Sequence, residues 1–175
     1  MSRSPIPFER FSIQAHQLWH HQWLLLTSGD FAAGSYNAMT VGWGSFGTMW
    51  GRPFAQVLVR PQRYTFEFIE RYDTFSLCAF PQEYHEALSL LGTKSGRDLD
   101  KLALSGLTVE AANCVAAPVY TQADLAIECR KVYWQDLDPA HFLDPTTHRH
   151  YPQQDYHRIY FGEILAIAGS QRYES

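Results

Sequence analysis

The sequence predicts a mainly β protein, a barrel carrying a few short covering helices. Three observations lead there. Apolar runs are strand-sized and end at turn signals. One later stretch alternates apolar and polar residues with the period of two that marks a half-buried strand. Helical spacing is confined to three short segments, placed too irregularly for repeated βαβ units.

In chain order, Trp23–Leu26 is an apolar run closed by Ser28-Gly29-Asp30. Residues 35–45 read as a glycine-rich strand with a bulge, and Phe54–Val59 as a strand closed by Arg60-Pro61. Tyr64–Arg71 follows as a helix with Phe66 and Ile69 at helical spacing. Phe75–Phe80 is a strand ended by Pro81, after which Glu83–Leu91 reads as a helix stopped by Gly92. A third helix, Asp98–Leu104, puts Leu99, Leu102 and Ala103 on one face and stops before Gly106. Leu125, Ile127 and Cys129 then alternate with Ala126, Glu128 and Arg130 ahead of Val132-Tyr133-Trp134. Asp136–Gln154, with Pro139, Pro145 and Pro152, reads as the least ordered part of the chain, a long surface excursion serving as a lid or a dimer arm. Ile159–Ile167 is the last strand.

A length of 175 residues without a Pro-, Gly- or Ser-rich divider implies a single domain over residues 1–175. Hydrophobic residues make up 46% and aromatics 15%, enough for a core that needs no metal or disulfide. A formal charge of -4 argues against a nucleic-acid or membrane surface, since phosphate-rich partners call for a basic face. Any phosphate must therefore meet a local pocket. Cys78, Cys114 and Cys129 are odd in number and lack CxxC spacing, so reduced, mostly buried thiols are expected. Residues 1–13 lack the apolar centre of a signal peptide, and no run approaches the ~20 apolar residues of a membrane span. A soluble, cytoplasmic protein is expected.

Three segments carry candidate chemistry. In Ser35-Tyr36-Asn37-Ala38-Met39-Thr40 and the following Val41-Gly42-Trp43-Gly44-Ser45, side-chain donors and acceptors alternate with glycines that let backbone approach a flat ligand. The same residues also suit an ordinary strand and bulge. In Val59-Arg60-Pro61-Gln62-Arg63-Tyr64-Thr65 a strand gives way to a helix, so free helix amides and two guanidinium groups offer an anion site. Solvated arginines with Thr65 as a cap fit equally well. Residues 93–101, Thr93-Lys94-Ser95-Gly96-Arg97-Asp98-Leu99-Asp100-Lys101, bring hydroxyls, glycine and cations to a helix entrance, either closing on the same phosphate or simply capping a helix.

His16, His20 and His21 put two imidazoles on one helical face, and His148, His150 and His157 are candidates to converge. Neither set has a regular carboxylate or cysteine spacing, so no metal site is expected. Trp43, Trp50 and Trp134 read as core aromatics or as stacking partners for a ring. There is no convincing Ser–His–Asp arrangement, no H-E-x-x-H and no GxGxxG.

Taken together and in order, these segments and a fourth, Asp155-Tyr156-His157-Arg158-Ile159-Tyr160-Phe161-Gly162-Glu163-Ile164, resemble the flavin reductase-like family of FMN-binding split barrels. The shared features are an Asn-x-Met-Thr segment, an Arg-Pro-x-Arg-x-Thr strand end, a Ser-Gly-Arg-Asp-x-Asp-Lys loop and a final His-bearing Gly-Glu strand. They span residues 23–167.

The resemblance implies a split β-barrel that holds FMN. It sets Asn37, Ala38, Met39 and Thr40, with Ser45 close by, along the ring and ribityl chain. It sets Arg60, Arg63, Tyr64 and Thr65 toward the phosphate, with Ser95, Gly96 and Lys101 closing there. His157 is implied as the catalytic histidine beside a nicotinamide pocket. The activity implied is an NAD(P)H-dependent flavin reductase, with NADH or NADPH as donor, and a homodimer is implied with it. Two alternatives are an FMN-binding electron carrier of flavoredoxin type, served by a redox partner protein, and a non-catalytic FMN-binding protein. In each the flavin, and not a protein nucleophile, performs the redox chemistry.

Overall fold

A computed structural model describes residues 3–175, so the sequence reading of the N-terminus extends over two residues outside this range. The strands in chain order are β1 (Ser4–Pro5), β2 (Leu24–Asp30), β3 (Ser35–Val41), β4 (Gly44–Met49) and β5 (Arg52–Val59), then β6 (Thr74–Ala79), β7 (Val109–Glu110), β8 (Val119–Tyr120), β9 (Leu125–Asp136) and β10 (Arg158–Gly169). Three helices lie among them, α1 (Tyr64–Arg71), α2 (His85–Thr93) and α3 (Lys101–Ser105). The main sheet has the order β3-β2-β6-β9-β10-β5-β4, with β1 added beside β10, while β7 and β8 form a separate small hairpin. Every pairing is antiparallel.

The outermost strands of this order, β3 and β4, are consecutive in the chain and joined only by Gly42 and Trp43. The sheet must therefore curl until its two edges meet at that connection, yet no ladder joins them. The barrel expected from the sequence is accordingly split, with a seam along β3 and β4.

Alternation explains where the core lies. β2 is buried on both faces: Leu24 and Leu26 enter the cluster inside the curl with Met39, Val57, Phe75, Ile127 and Tyr160, whereas Leu25 enters a second cluster outside it. That second cluster holds Ala38, Leu88, Leu91, Leu107 and Tyr120, covered by α2. Burial of each such Leu contributes about 1.5–3 kcal/mol. At Gly162, beside a register shift in β10, an added Cβ would overlap the Phe75 ring, so a large core residue packs there against bare backbone.

α1 has the bounds its sequence predicts. The other two helices differ. The helix over Glu83–Leu91 begins as a short 3-10 turn and α2 then continues through Gly92 to Thr93, because the missing Cβ lets the helix settle against Thr40. The helix placed at Asp98–Leu104 is shorter: the Asp100 side chain caps it by accepting from the Ala103 N–H at 3.0 Å, so α3 starts at Lys101. The Ser28-Gly29-Asp30 segment is not a turn but the end of β2. Gly29, at φ 136°, pairs with Tyr36 so closely that a Cβ would overlap its backbone.

The excursion after β9 is more regular than the sequence suggests. Two 3-10 turns, Pro139–His141 and Pro145–His150, each start with proline and are capped by the side chains of Asp138 and Asp144. Its base is closed by the Leu137 N–H donating to the His157 carbonyl at 3.0 Å. Cys78 and Cys129 are buried, and burial pushes the Cys78 thiol up to about 12, whereas Cys114 is exposed. Among the described residues no helix is long and apolar enough to cross a membrane.

Candidate functional site

The seam brings the sequence-predicted residues into two groups. The first is cationic. The Arg60–Thr65 segment leaves β5 and turns into α1, whose N-terminal turn has no side-chain cap; the Phe66 N–H donates to the Arg63 carbonyl at 2.9 Å, which leaves the Tyr64 and Thr65 amides without a helical acceptor. Thr65 is not a cap; it is buried in the first turn and its hydroxyl accepts from the Asn37 amide at 2.7 Å. Gly96 lies against this pair, and a Cβ there would overlap the Asn37 oxygen and come within 3.0 Å of the Tyr64 ring. Ser95 and Thr93 stand beside them, lining with Arg63 and Lys101 a recess of about 170 Å³.

Lys101 is the notable member, since its side chain is 3% exposed. Its ammonium donates to the carbonyls of Leu91 (3.0 Å) and Lys94 (3.2 Å), and burial, followed by the repulsion of Arg63, lowers its pKa to about 8. The half-buried Arg63 guanidinium donates to the Gly92 carbonyl at 2.8 Å and is pulled below its ordinary range by burial and by Arg60. Neither cation has a carboxylate partner among the described residues. Two repelling cations held in a recess with hydroxyls and the Tyr64 and Thr65 amides have the chemistry to accept a multiply charged anion. A larger cleft of about 810 Å³ continues from Tyr64 and Lys101 past Tyr36 and Asn37.

The second group is aromatic and lies at the other end of β3. Trp43 meets His157 (centroids 4.9 Å apart) and His150 (5.5 Å). His157 is buried, with Nδ1 2.9 Å from the Tyr151 hydroxyl. Burial, then Arg60, lowers its pKa to about 4, so at neutral pH it is an uncharged imidazole. It can make a hydrogen bond beside Trp43, but it is no source of an acidic proton at neutral pH. From Asn37 to Trp43 the extended chain spans at most about 20 Å.

Other expected residues stand differently. Arg60 turns away from the cationic recess: it donates to Asp155 at 2.6 Å and to the His150 carbonyl at 2.8 Å, and lies 5.1 Å over the Tyr151 ring. Arg60 thus staples the excursion to the barrel. Ala38 and Met39 face opposite cores, and Thr40 donates to the Leu88 carbonyl at 2.5 Å. Ser45 is bonded to Gln56 at 2.8 Å. A strand cannot turn four consecutive side chains to one ligand. What residues 37–40 can offer jointly is backbone, because β3 has no strand on its outer edge.

Sequence reasoning missed Asp155, which holds both Arg60 and Gln62. Its one signal was a carboxylate close to His157 with two arginines elsewhere to meet it. His150 and His157 both meet Trp43, whereas His148 packs against Phe142.

The sequence profile of the flavin reductase like domain matches residues 19–174. The chain belongs to this family. Among curated proteins none matches it in sequence. Solved structures with the same fold include an FMN-binding domain of a flavin reductases-like enzyme from Shewanella baltica, 16% identical with a TM-score of 0.69, covering 97% of this chain and 78% of that one. Flavoredoxin from Methanosarcina acetivorans is 22% identical with a TM-score of 0.66, covering 97% and 74%. An NADH:FAD oxidoreductase from Streptomyces globisporus is 14% identical with a TM-score of 0.66, covering 87% and 78%.

Proposed function

We propose that this chain is an FMN-dependent oxidoreductase, an NAD(P)H:flavin reductase that takes a hydride from nicotinamide. The observation that carries the reading is the unpaired Arg63–Lys101 cation pair beside the free amides of α1, which suits a phosphate monoester dianion. The free edge of β3 supplies alternating N–H and C=O groups to the polar rim of a flat ring, and Gly96 lets its loop pack against Asn37 and Tyr64 where a Cβ would collide with them. Bound FMN would supply the hydride and electron transfer, for which this chain offers no nucleophile. Arg63, Lys101, Thr65 and Ser95 hold the phosphate end. Trp43 and neutral His157 wall the other end and exclude water, without carrying charge to it.

A second reading, an FMN-binding electron carrier, is favoured by the stapled excursion, which narrows the Trp43–His157 end where a nicotinamide would stack. A visible absorption spectrum with and without added FMN, followed by anaerobic NADH or NADPH, separates them. Bound flavin that bleaches promptly supports the reductase, bound flavin that stays oxidised supports the carrier, and absence of flavin binding overturns both. A homodimer fits the exposed aromatic side chains Trp50, Tyr133 and Trp134, and the free thiols suit the reducing cytoplasm.

A further inference from the structure

Away from the seam, residues 17–22 form a π-helical turn, entered through His16 in αR conformation. The inner side of this turn is fixed: Leu18 and Trp19 are buried, and Trp19 packs on Phe46 with ring centroids 5.1 Å apart. The outer side carries His16, His20 and His21, all exposed. In an α-helix the residue five positions on lies about 140° around the axis, so His16 and His21 would point apart. A π-turn fits an extra residue into the turn, so that both the fourth and the fifth residue flank the first. The result is three rings packed around one point, with centroids 5.0 Å apart for His16 and His20, 4.7 Å for His20 and His21 and 5.8 Å for His16 and His21. One ring nitrogen from each lies within 4.8 Å of the others.

We propose that His16, His20 and His21 bind a divalent transition metal of the Zn²⁺ or Cu²⁺ class, with water in the remaining position. Ligand nitrogens about 2.0–2.1 Å from a tetrahedral ion lie within about 3.5 Å of one another, so the exposed rings, two of them stacked with planes 16° apart, turn about their side-chain bonds to aim their nitrogens at one ion. The donor set decides the metal: three imidazoles with neither thiolate nor carboxylate suit Zn²⁺, Cu²⁺ or Ni²⁺ and disfavour Ca²⁺ and Mg²⁺, which take oxygen ligands. The backbone is held ready for it. Trp23, which closes the turn at φ 63°, donates its indole N–H to the His20 carbonyl at 3.1 Å and stacks on His85 at 4.2 Å. This site stands independently of the flavin reading, because none of its ligands lines the cleft.

The test is calorimetric titration of the tag-free, chelator-treated full chain with ZnCl₂, and separately with CuCl₂. About one ion per chain is expected, with Cu²⁺ the tighter as the general order of divalent affinities requires. His20→Ala and His21→Ala should each weaken Zn²⁺ by about tenfold or more, while a His148→Ala/His150→Ala double variant binds as before. Far-UV circular dichroism checks that each variant is folded. Since all three rings are exposed, His20→Asn serves as a second removal of the same ligand. Lack of saturable Zn²⁺ uptake, or uptake that survives in both folded His20 variants, would overturn the proposal.

Discussion

Replacing Lys101 by methionine should separate the demands of the fold from those of the ligand. The interval between 10.5 and about 8 means that burial and Arg63 hold about 3 kcal/mol against the charged ammonium in the empty protein at neutral pH. Methionine keeps the apolar stem and removes the charge. It also leaves the Leu91 and Lys94 carbonyls without their donor, at about 1–3 kcal/mol each where they stay dry. The terms oppose each other at similar size, so Lys101→Met should leave the ligand-free chain within about 2 kcal/mol of the parent in urea unfolding at pH 7. FMN affinity, read by quenching of flavin fluorescence, should fall by about ten- to a hundredfold, equivalent to a charge-assisted contact of about 1.5–3 kcal/mol. Riboflavin, which lacks the phosphate, should bind both proteins alike. In the parent, the unfolded chain holds the Lys101 proton more tightly between pH 8 and 10.5, so ligand-free stability should rise with pH across that window while FMN affinity falls. A Lys101→Met chain destabilised by more than about 2 kcal/mol, or one that loses riboflavin as readily as FMN, would refute the anion-cradle argument.

Three further expectations follow the same geometry. For His157, the lowered pKa means that the unfolded state binds the proton first, so about 3 kcal/mol of stability is lost as pH falls from 6.5 to about 4. His157→Gln should remove that part of the acid dependence in thermal melts recorded across the window, and an unchanged slope would show that the imidazole is not the group responsible. Gly96→Ala, whose new Cβ would displace the Asn37 amide, should abolish tight FMN binding while lowering stability by about 1–3 kcal/mol, measured by flavin titration and urea unfolding. Arg60→Ala frees Asp155 and the His150 carbonyl, so limited proteolysis should cut within residues 137–157 markedly faster than in the parent, with the barrel fragments remaining intact.

Local signals in the sequence carried much of the fold. Tyr64–Arg71 was legible because apolar spacing and an Arg-Pro entry agree, and β9 because Leu125, Ile127 and Cys129 face one core while Ala126 faces the other. The order of the sheet was not legible: β5 beside β10 and β6 beside β9 are pairings between distant segments, which no local period encodes. At the site, Lys101 was legible as a cation near a glycine loop, but its burial depends on α3 packing against α2. Arg60 is set toward the phosphate by the family resemblance, and only the return of Asp155 from the excursion shows that its charge is engaged by a carboxylate. The three histidines before β2 were set aside for want of a regular carboxylate or cysteine spacing; that a π-turn brings their rings together is a tertiary fact with no local signal.

The seam also bears on how the chain behaves in company. A closed barrel presents no loose strand edge, whereas this sheet keeps two, on either side of Trp43. Unpaired edges are templates on which a neighbouring copy can zip, and crowding favours that encounter. A molecule lying along the seam covers both edges at once. If the flavin lies there, its supply would bear on solubility as well as on activity, and chain made faster than it is filled should collect in inclusion bodies.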